Sequence, residues 1–212
     1  MHLPKHLIVA GICTEIGKTV ASAVLAELLG ADYWKPVQAG ELELTDTHKI
    51  QQWTQQEIHC HPEAYRLQHP MSPHAAAALE GIKLHPERFE LPSTDNRLLI
   101  ELAGGLMVPL THSFLNIDLV QQLGCPVLLV SRHYLGSINH TLLSVALLKQ
   151  RGIPIVGILF NGPATPSSKE VILEYTQLPC IGELPSLETI SKESILEASR
   201  HLASQPFFRK VR

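Results

Sequence analysis

The sequence predicts a doubly wound α/β fold, a mostly parallel sheet flanked by helices, on two observations. The first is a set of short runs rich in Val, Ile and Leu at residues 7–10, 33–37, 98–102, 127–131, 155–161 and 180–184. None alternates cleanly between polar and apolar residues, and continuous apolar strands are the mark of a parallel sheet buried on both faces. The second is the helical patterning between those runs, which gives the strand–helix alternation of a doubly wound domain.

The helices follow in order. Residues 18–29 carry Val20, Val24, Leu25 and Leu28 at helical spacing and end near Gly30. Thr45 is placed to cap a helix over 46–56. Ser72-Pro73 opens an alanine-rich helix through Glu80, with proline in the favoured first turn and Gly81 at its end. Further helices are expected over 113–123, 137–150, 167–176 and 191–203. Residues 57–96, with Pro62, Pro70, Pro73, Pro86 and Pro92, are the least regular stretch and predict an excursion away from the sheet. With no repeat or linker, residues 1–212 are expected to form one domain.

Composition narrows the function. Apolar residues make up 45% of the 212 and charged residues 17%, enough for a substantial core. A formal charge of −3 argues against a broad nucleic-acid face. No apolar run reaches the roughly eighteen residues of a membrane span. The N-terminal apolar stretch is too short for a secretory signal, and Cys13, Cys60, Cys125 and Cys180 lie far apart, so a cytoplasmic protein with reduced thiols is expected. His59-Cys60-His61 has metal-ligand residue types but no second pair at a structural zinc spacing, and reads as a solvated polar connection. The terminal Phe207–Arg212 segment reads as a frayed end.

Chemistry concentrates in Gly11-Ile12-Cys13-Thr14-Glu15-Ile16-Gly17-Lys18-Thr19, between the first strand and the first helix. That context suits a phosphate-binding loop. Glycine permits close backbone approach, and the helix N-terminus supplies partial positive charge. Lys18 can reach the β- and γ-phosphates, and the Thr19 hydroxyl can take a magnesium position. A lysine in the first turn opposes the helix dipole unless an anion sits there. Five residues separate Gly11 from Gly17, one more than in the standard loop. Asp46 and Glu101 are the candidate metal carboxylates. Glu101 ends an apolar run and is expected to emerge at the carboxyl edge of the sheet, where open α/β folds bind ligands. Lys35, inside the apolar run 33–37, is costly to bury unless it meets an anion.

The ordered set of segments resembles the dethiobiotin synthetase family, which has a P-loop NTPase type of fold. The set comprises the longer loop with Thr14-Glu15, Lys35-Pro36-Val37-Gln38-Ala39-Gly40, Ser72-Pro73-His74 and Glu101-Leu102-Ala103-Gly104-Gly105. Gly136-Ser137-Ile138-Asn139-His140, Asn161, and Gly182-Glu183-Leu184-Pro185 complete it, covering about residues 7–187. Cys13, Leu102 and Gly162 stand where the family often has Asp, Gly and Asp, and Ala39 where some members present a hydroxyl.

The resemblance implies an ATP-dependent, magnesium-requiring cyclo-ligase that makes dethiobiotin from 7,8-diaminopelargonate and CO2. It implies that Lys18 and Lys35 are catalytic and that Thr19, Asp46 and Glu101 bind the metal. Glu15, Ile16, Gly17, Lys18, Thr19 and Val20 would wrap the phosphates, with Leu102, Ala103 and Gly104 nearby. Asn161 and Gly162 would meet the adenine, beside Pro185, Ser186 and Leu187. Thr14 and Ala39 would contact the substrate, as would Ser137, Ile138 and Asn139 from a partner subunit, so a homodimer is implied, with no nucleic-acid or membrane partner. Two alternatives stay open: a P-loop ligase acting on another small substrate, and a partition-type ATPase switch. The second usually has an additional lysine early in its loop, and positions 12–16 contain none.

Overall fold

A computed structural model describes residues 3–209. The chain begins with β1 (His6–Gly11), α1 (Lys18–Leu29), β2 (Asp32–Trp34), β3 (Val37–Ala39) and α2 (Asp46–Trp53). It continues through β4 (Cys60–His61), β5 (Tyr65–Leu67), α3 (Pro73–Glu80), a 3-10 turn at Pro86–Arg88, β6 (Leu98–Gly105) and α4 (Asn116–Leu123). It closes with β7 (Val127–Arg132), α5 (Ser137–Gln150), β8 (Ile155–Asn161), α6 (Pro166–Thr176), β9 (Cys180–Leu184), α7 (Lys192–Ala203) and α8 (Pro206–Arg209).

The strand order β4-β2-β6-β1-β7-β8-β9 makes a 7-stranded sheet whose named pairs are all parallel. From β1 the chain crosses to β2 on one side, and from β7 it crosses to β8 on the other. Right-handed crossovers therefore put α1 and α5 on opposite faces of the sheet. Helices α1, α2 and α7 pack on one another, and α5 packs on α6. Both faces being covered, β1 and β7 are buried along almost their whole length, which is why their sequences are unbroken apolar runs.

The expected strand at 33–37 is divided. Pro36 has no N–H for the ladder and restricts the residue before it, so the main-sheet strand ends at Trp34. Val37–Ala39 instead pairs with β5 in a 2-stranded sheet. The irregular stretch 57–96 does leave the main sheet, but only after Cys60–His61 has joined it as an edge strand beside β2. His59-Cys60-His61 is thus not a solvated connection: His61 is buried at 7% exposure and its ring meets Asp32.

Two helices are shorter than the periodicity suggests. α2 keeps Thr45 as its cap but stops at Trp53, where Thr54 turns extended. α4 starts at Asn116, because Pro109 and Leu115 bridge across a turn that uses up residues 111–114. Part of the C-terminal segment is ordered, with Phe208 buried in a single helical turn; residues 210–212 lie outside the described region. No described helix is long and apolar enough to cross a membrane.

The β8–β9 side depends on close backbone approach at Gly157, at φ +154, where an added Cβ would sit 2.5 Å from the Pro179 carbonyl and 2.6 Å from Ile181. Gly157→Ala is expected to destabilise the fold by about 2–3 kcal/mol through overpacking and backbone strain. An unchanged urea midpoint would show that the two strands separate freely.

Candidate active site

The phosphate loop takes its shape from two left-handed residues, Glu15 at φ 55 and Gly17 at φ 82. Gly17 is also the cap of α1, and among the described residues no side chain bonds the helix's first N–H groups. A cap without a side-chain acceptor leaves those donors free for an oxyanion. Only glycine fits at position 17, since a Cβ there would lie 2.0 Å from the Asn161 amide nitrogen. Asn161, at the end of β8, donates to the Ile16 carbonyl at 2.9 Å and so braces the loop from two strands away.

Beneath the loop lies Glu101. The sequence places it at the end of its strand, but β6 runs on to Gly105, so Glu101 sits mid-strand opposite Val9 with 1% exposure. Its carboxylate accepts from Thr19 (2.9 Å), Ser22 (2.7 Å) and Tyr33 (3.1 Å), and pairs with Lys35 at 3.5 Å. Burial alone would raise its pKa, yet the Lys35 charge and the hydroxyl donors hold it below the usual carboxylate range. Lys35, itself buried, pairs with Asp46 as well as Glu101. Burial lowers its pKa, against the opposing pull of Glu101. The same Thr19 hydroxyl lies 3.1 Å from Asp46, so its single proton is shared between the two carboxylates. The Thr19 hydroxyl and the carboxylates of Asp46 and Glu101 therefore converge on one spot, an oxygen-only donor set of the kind magnesium takes.

Lys18 is buried, donates to the Cys13 carbonyl at 3.1 Å, and has its pKa lowered by burial to about 8. The loop's longer path puts the Cys13 carbonyl there, and the free Cys13 side chain packs partly against the core.

Lys18, Thr19, Lys35, Asp46 and Glu101 line one cavity of about 830 Å³. Of the residues expected at the site, Thr14, Glu15, Gly17, Lys18, Thr19, Val20, Lys35, Ala39, Asp46 and Glu101 line it. Ala103, Gly104, Asn161, Gly162, Pro185, Ser186 and Leu187 line it too, so the loop and the expected adenine-side segment share one space. Ile16 and Leu102 do not: their side chains are buried at 2% and 1% exposure in the core, leaving only backbone to offer. Leu102 points away from the space beside Glu101 because neighbouring residues on a strand face opposite sides. Ser137, Ile138 and Asn139 also lie outside the cavity, at the start of α5, with Asn139 exposed.

Several site residues escape a reading of the sequence. Ser22 lies three residues after Thr19 on α1, a spacing that puts both on one face and could have flagged it. Lys49 follows Asp46 at the same spacing and approaches it to 3.5 Å. Gln38 accepts from the Asp46 backbone N–H at 3.3 Å while donating to Gly40, which sets where α2 starts. Tyr33 and Arg132 carried no local signal. Arg132 donates to the Glu15 carbonyl at 3.4 Å and faces the cavity.

Known proteins are similar to this chain along most of its length. A family described as an AAA domain matches residues 5–194. The ATP-dependent dethiobiotin synthetase BioD of Christiangramia forsetii is 48% identical over 86% of this chain and 88% of its own. The protein of that name from Bradyrhizobium sp. is 44% identical over 92% and 94%, and that from Chlamydia abortus 41% over 90% of each. Among solved structures, a ParA family ATPase from Chlorobium tepidum matches with a TM-score of 0.58 at 14% identity, covering 98% of this chain and 97% of that one. The septum site-determining protein MinD of Pyrococcus horikoshii matches at 0.58 and 14%, covering 97% and 92%; such likeness carries the fold alone. The sheet order, the loop over Glu101 and these relatives together establish that the chain belongs to the ATP-dependent dethiobiotin synthetase family.

Proposed function

We propose that this chain, acting as one synthetase domain over residues 1–212, converts 7,8-diaminopelargonate, CO2 and ATP into dethiobiotin, ADP and phosphate. The observation that carries the reading is Lys18 and Lys35 facing one cavity with Thr19, Asp46 and Glu101, within a member of this family. Neither histidine nor cysteine is among the described residues lining that cavity, which suits chemistry in which the substrate supplies the nucleophile.

In the proposed sequence one substrate amine adds to CO2 as a carbamate, losing a proton. A carbamate oxygen attacks the γ-phosphorus and expels ADP, leaving a carbamic-phosphoric anhydride. The second amine attacks the carbonyl carbon and gives up a proton, the C–O bond to phosphate breaks to release phosphate, and the cyclic urea closes. Lys18 and Lys35 hold the anionic carbamate and transferring phosphoryl group in register, so the protein contributes positioning and charge stabilisation. Thr19, Asp46 and Glu101 would hold magnesium, whose chemistry is to neutralise charge on the phosphate oxygens. Glu15 to Val20 hold the phosphates, Asn161 and Gly162 with Pro185–Leu187 take the base, and Thr14 with the Ala39 backbone meets the substrate.

Ser137, Ile138 and Asn139 serve a partner's site in a homodimer. Exposed Tyr134, Leu135 and Leu143 around the start of α5, Leu135 at 103% exposure, support an interface there. The free cysteines fit a cytoplasmic location.

Dethiobiotin should form when the protein is incubated with ATP, magnesium, bicarbonate and the diamine. ATP turnover indifferent to the diamine would reject the assignment. Lys35→Ala is expected to cut kcat by about 10²–10³ with the fold intact by circular dichroism; unchanged kcat would remove Lys35 from the chemistry.

The Lys18 amine loses its proton near pH 8 in the free protein, and a bound polyphosphate favours the protonated form. ATP affinity should therefore be highest below about 8 and fall above it, with net proton uptake on binding at pH 8.5. Calorimetry in buffers of different ionisation enthalpy reads that uptake, and Lys18→Met should abolish it. Equal uptake in the variant would assign the proton elsewhere.

Heterodimers of an Asn139→Ala subunit with a Lys18→Met subunit should regain activity that neither homodimer has. Verified heterodimers that stay inactive would mean the sites are not shared.

A further inference from the structure

Strands β2 and β4 pair in parallel with Tyr33 opposite Cys60 and Trp34 opposite His61. That register sets Asp32 opposite His59. Because side chains alternate along a strand, Asp32, His59 and His61 all project from one face of the pair, and Cys60 from the other. One ligand atom from each of the three lies within 4.8 Å of the other two.

We propose that Asp32, His59 and His61 form a binding site for a divalent transition metal of zinc type at the outer edge of the sheet. Two imidazoles and a carboxylate are the ligands such an ion selects, with water left in the fourth position. The His61 Nε2 and Asp32 Oδ2 atoms are 3.1 Å apart. Ligands at about 2.05 Å in a tetrahedron stand roughly 3.3 Å from each other, so an ion would replace the proton of this hydrogen bond with only a small change in the separation of the two atoms. The His59 ring, exposed and 4.5 Å from the His61 ring, completes the set by a side-chain rotation.

The carboxylate is held ready by groups beyond it. Thr94 donates to Oδ2 at 2.7 Å and Asn96 to Oδ1 at 2.9 Å, a supporting shell of the kind that orients metal ligands. These donors, with His61 beside them, outweigh burial and keep Asp32 ionised below the usual carboxylate range. The site is separate from the oxygen-only set of Thr19, Asp46 and Glu101. Its ion would clip a strand of 2 residues to β2. From β4 the chain runs through β5 to Pro70–Pro73, which line the cavity, so the clip would anchor that wall.

Untagged protein stripped with a chelator and saturated with magnesium ADP, which occupies the phosphate-loop carboxylates, is titrated with zinc chloride and, separately, cobalt chloride. One equivalent of zinc should bind and raise the Tm, and cobalt should give visible absorption of tetrahedral intensity. His59→Ala, at an exposed position that spares the fold, should weaken zinc at least about tenfold and abolish both the Tm shift and the cobalt spectrum. Asp32→Asn should also weaken binding. Zinc binding unaffected by His59→Ala, weak six-coordinate cobalt absorption, or no binding at all would each overturn the proposal.

Discussion

The buried carboxylate of Glu101 is the constraint around which the centre of this molecule is arranged. A charge at 1% exposure is tolerable only if its oxygens are paired, since the effective cost of desolvating one ion is several kcal/mol. The pairing draws on α1 through Thr19 and Ser22, β2 through Tyr33, and the β2–β3 connection through Lys35. Asp46 at the start of α2 is tied in through Thr19 and Lys35. One anion thus fixes three elements at the carboxyl side of the sheet, and the donors it organises are the groups that a phosphoryl-transfer site needs.

The loop above it is held by a different economy. Gly17 has no side chain, so the Asn161 amide can press against it and bond the Ile16 carbonyl. β8 thereby reaches past β7 to the loop that follows β1. Arg132 adds a second tie from the end of β7 to the Glu15 carbonyl. With the Glu15 and Ile16 carbonyls taken by these partners, the loop is fixed at the N-terminus of α1, whose cap supplies no side-chain acceptor. Preorganisation of this kind lowers the reorganisation left to be done when charge develops.

The sheet's outer edge shows polar residues shaping the fold away from the cavity. β4 is too short to hold an edge by backbone pairing alone, and the Asp32–His61 contact adds a side-chain bond across the pair. That contact is local in space and distant in sequence, and so is the contact of Asn96 with both Gly30 and Asp32. The stretch 57–96, irregular in periodicity, is therefore tied to the sheet at both ends by specific polar bonds.

Particular residues show how far the sequence alone reaches. The apolar runs at 155–161 and 180–184 coincide with β8 and β9, and Gly30, Thr45 and Gly81 act as the caps their types suggest. Periodicity and capping are local properties, set by neighbours within a turn or two, and so are legible in one dimension. The loop and Lys18 were legible from the strand–loop–helix context, and Lys35 and Glu101 for a related reason: charge in an apolar run is costly and asks for a partner. The identity of the partners was not. Tyr33 and Ser22 on Glu101, Asn161 on Ile16, and Asp32 beside His59 and His61 depend on strand order and register, which bring residues many positions apart onto one face. The turning of Leu102 into the core, away from the cavity that Glu101 lines, was decided by strand alternation once β6 was seen to run through Gly105. What the chain determined by itself was the kind of chemistry and the pieces that carry it; only tertiary pairing decided which side chains meet, because sequence distance does not encode register across a sheet.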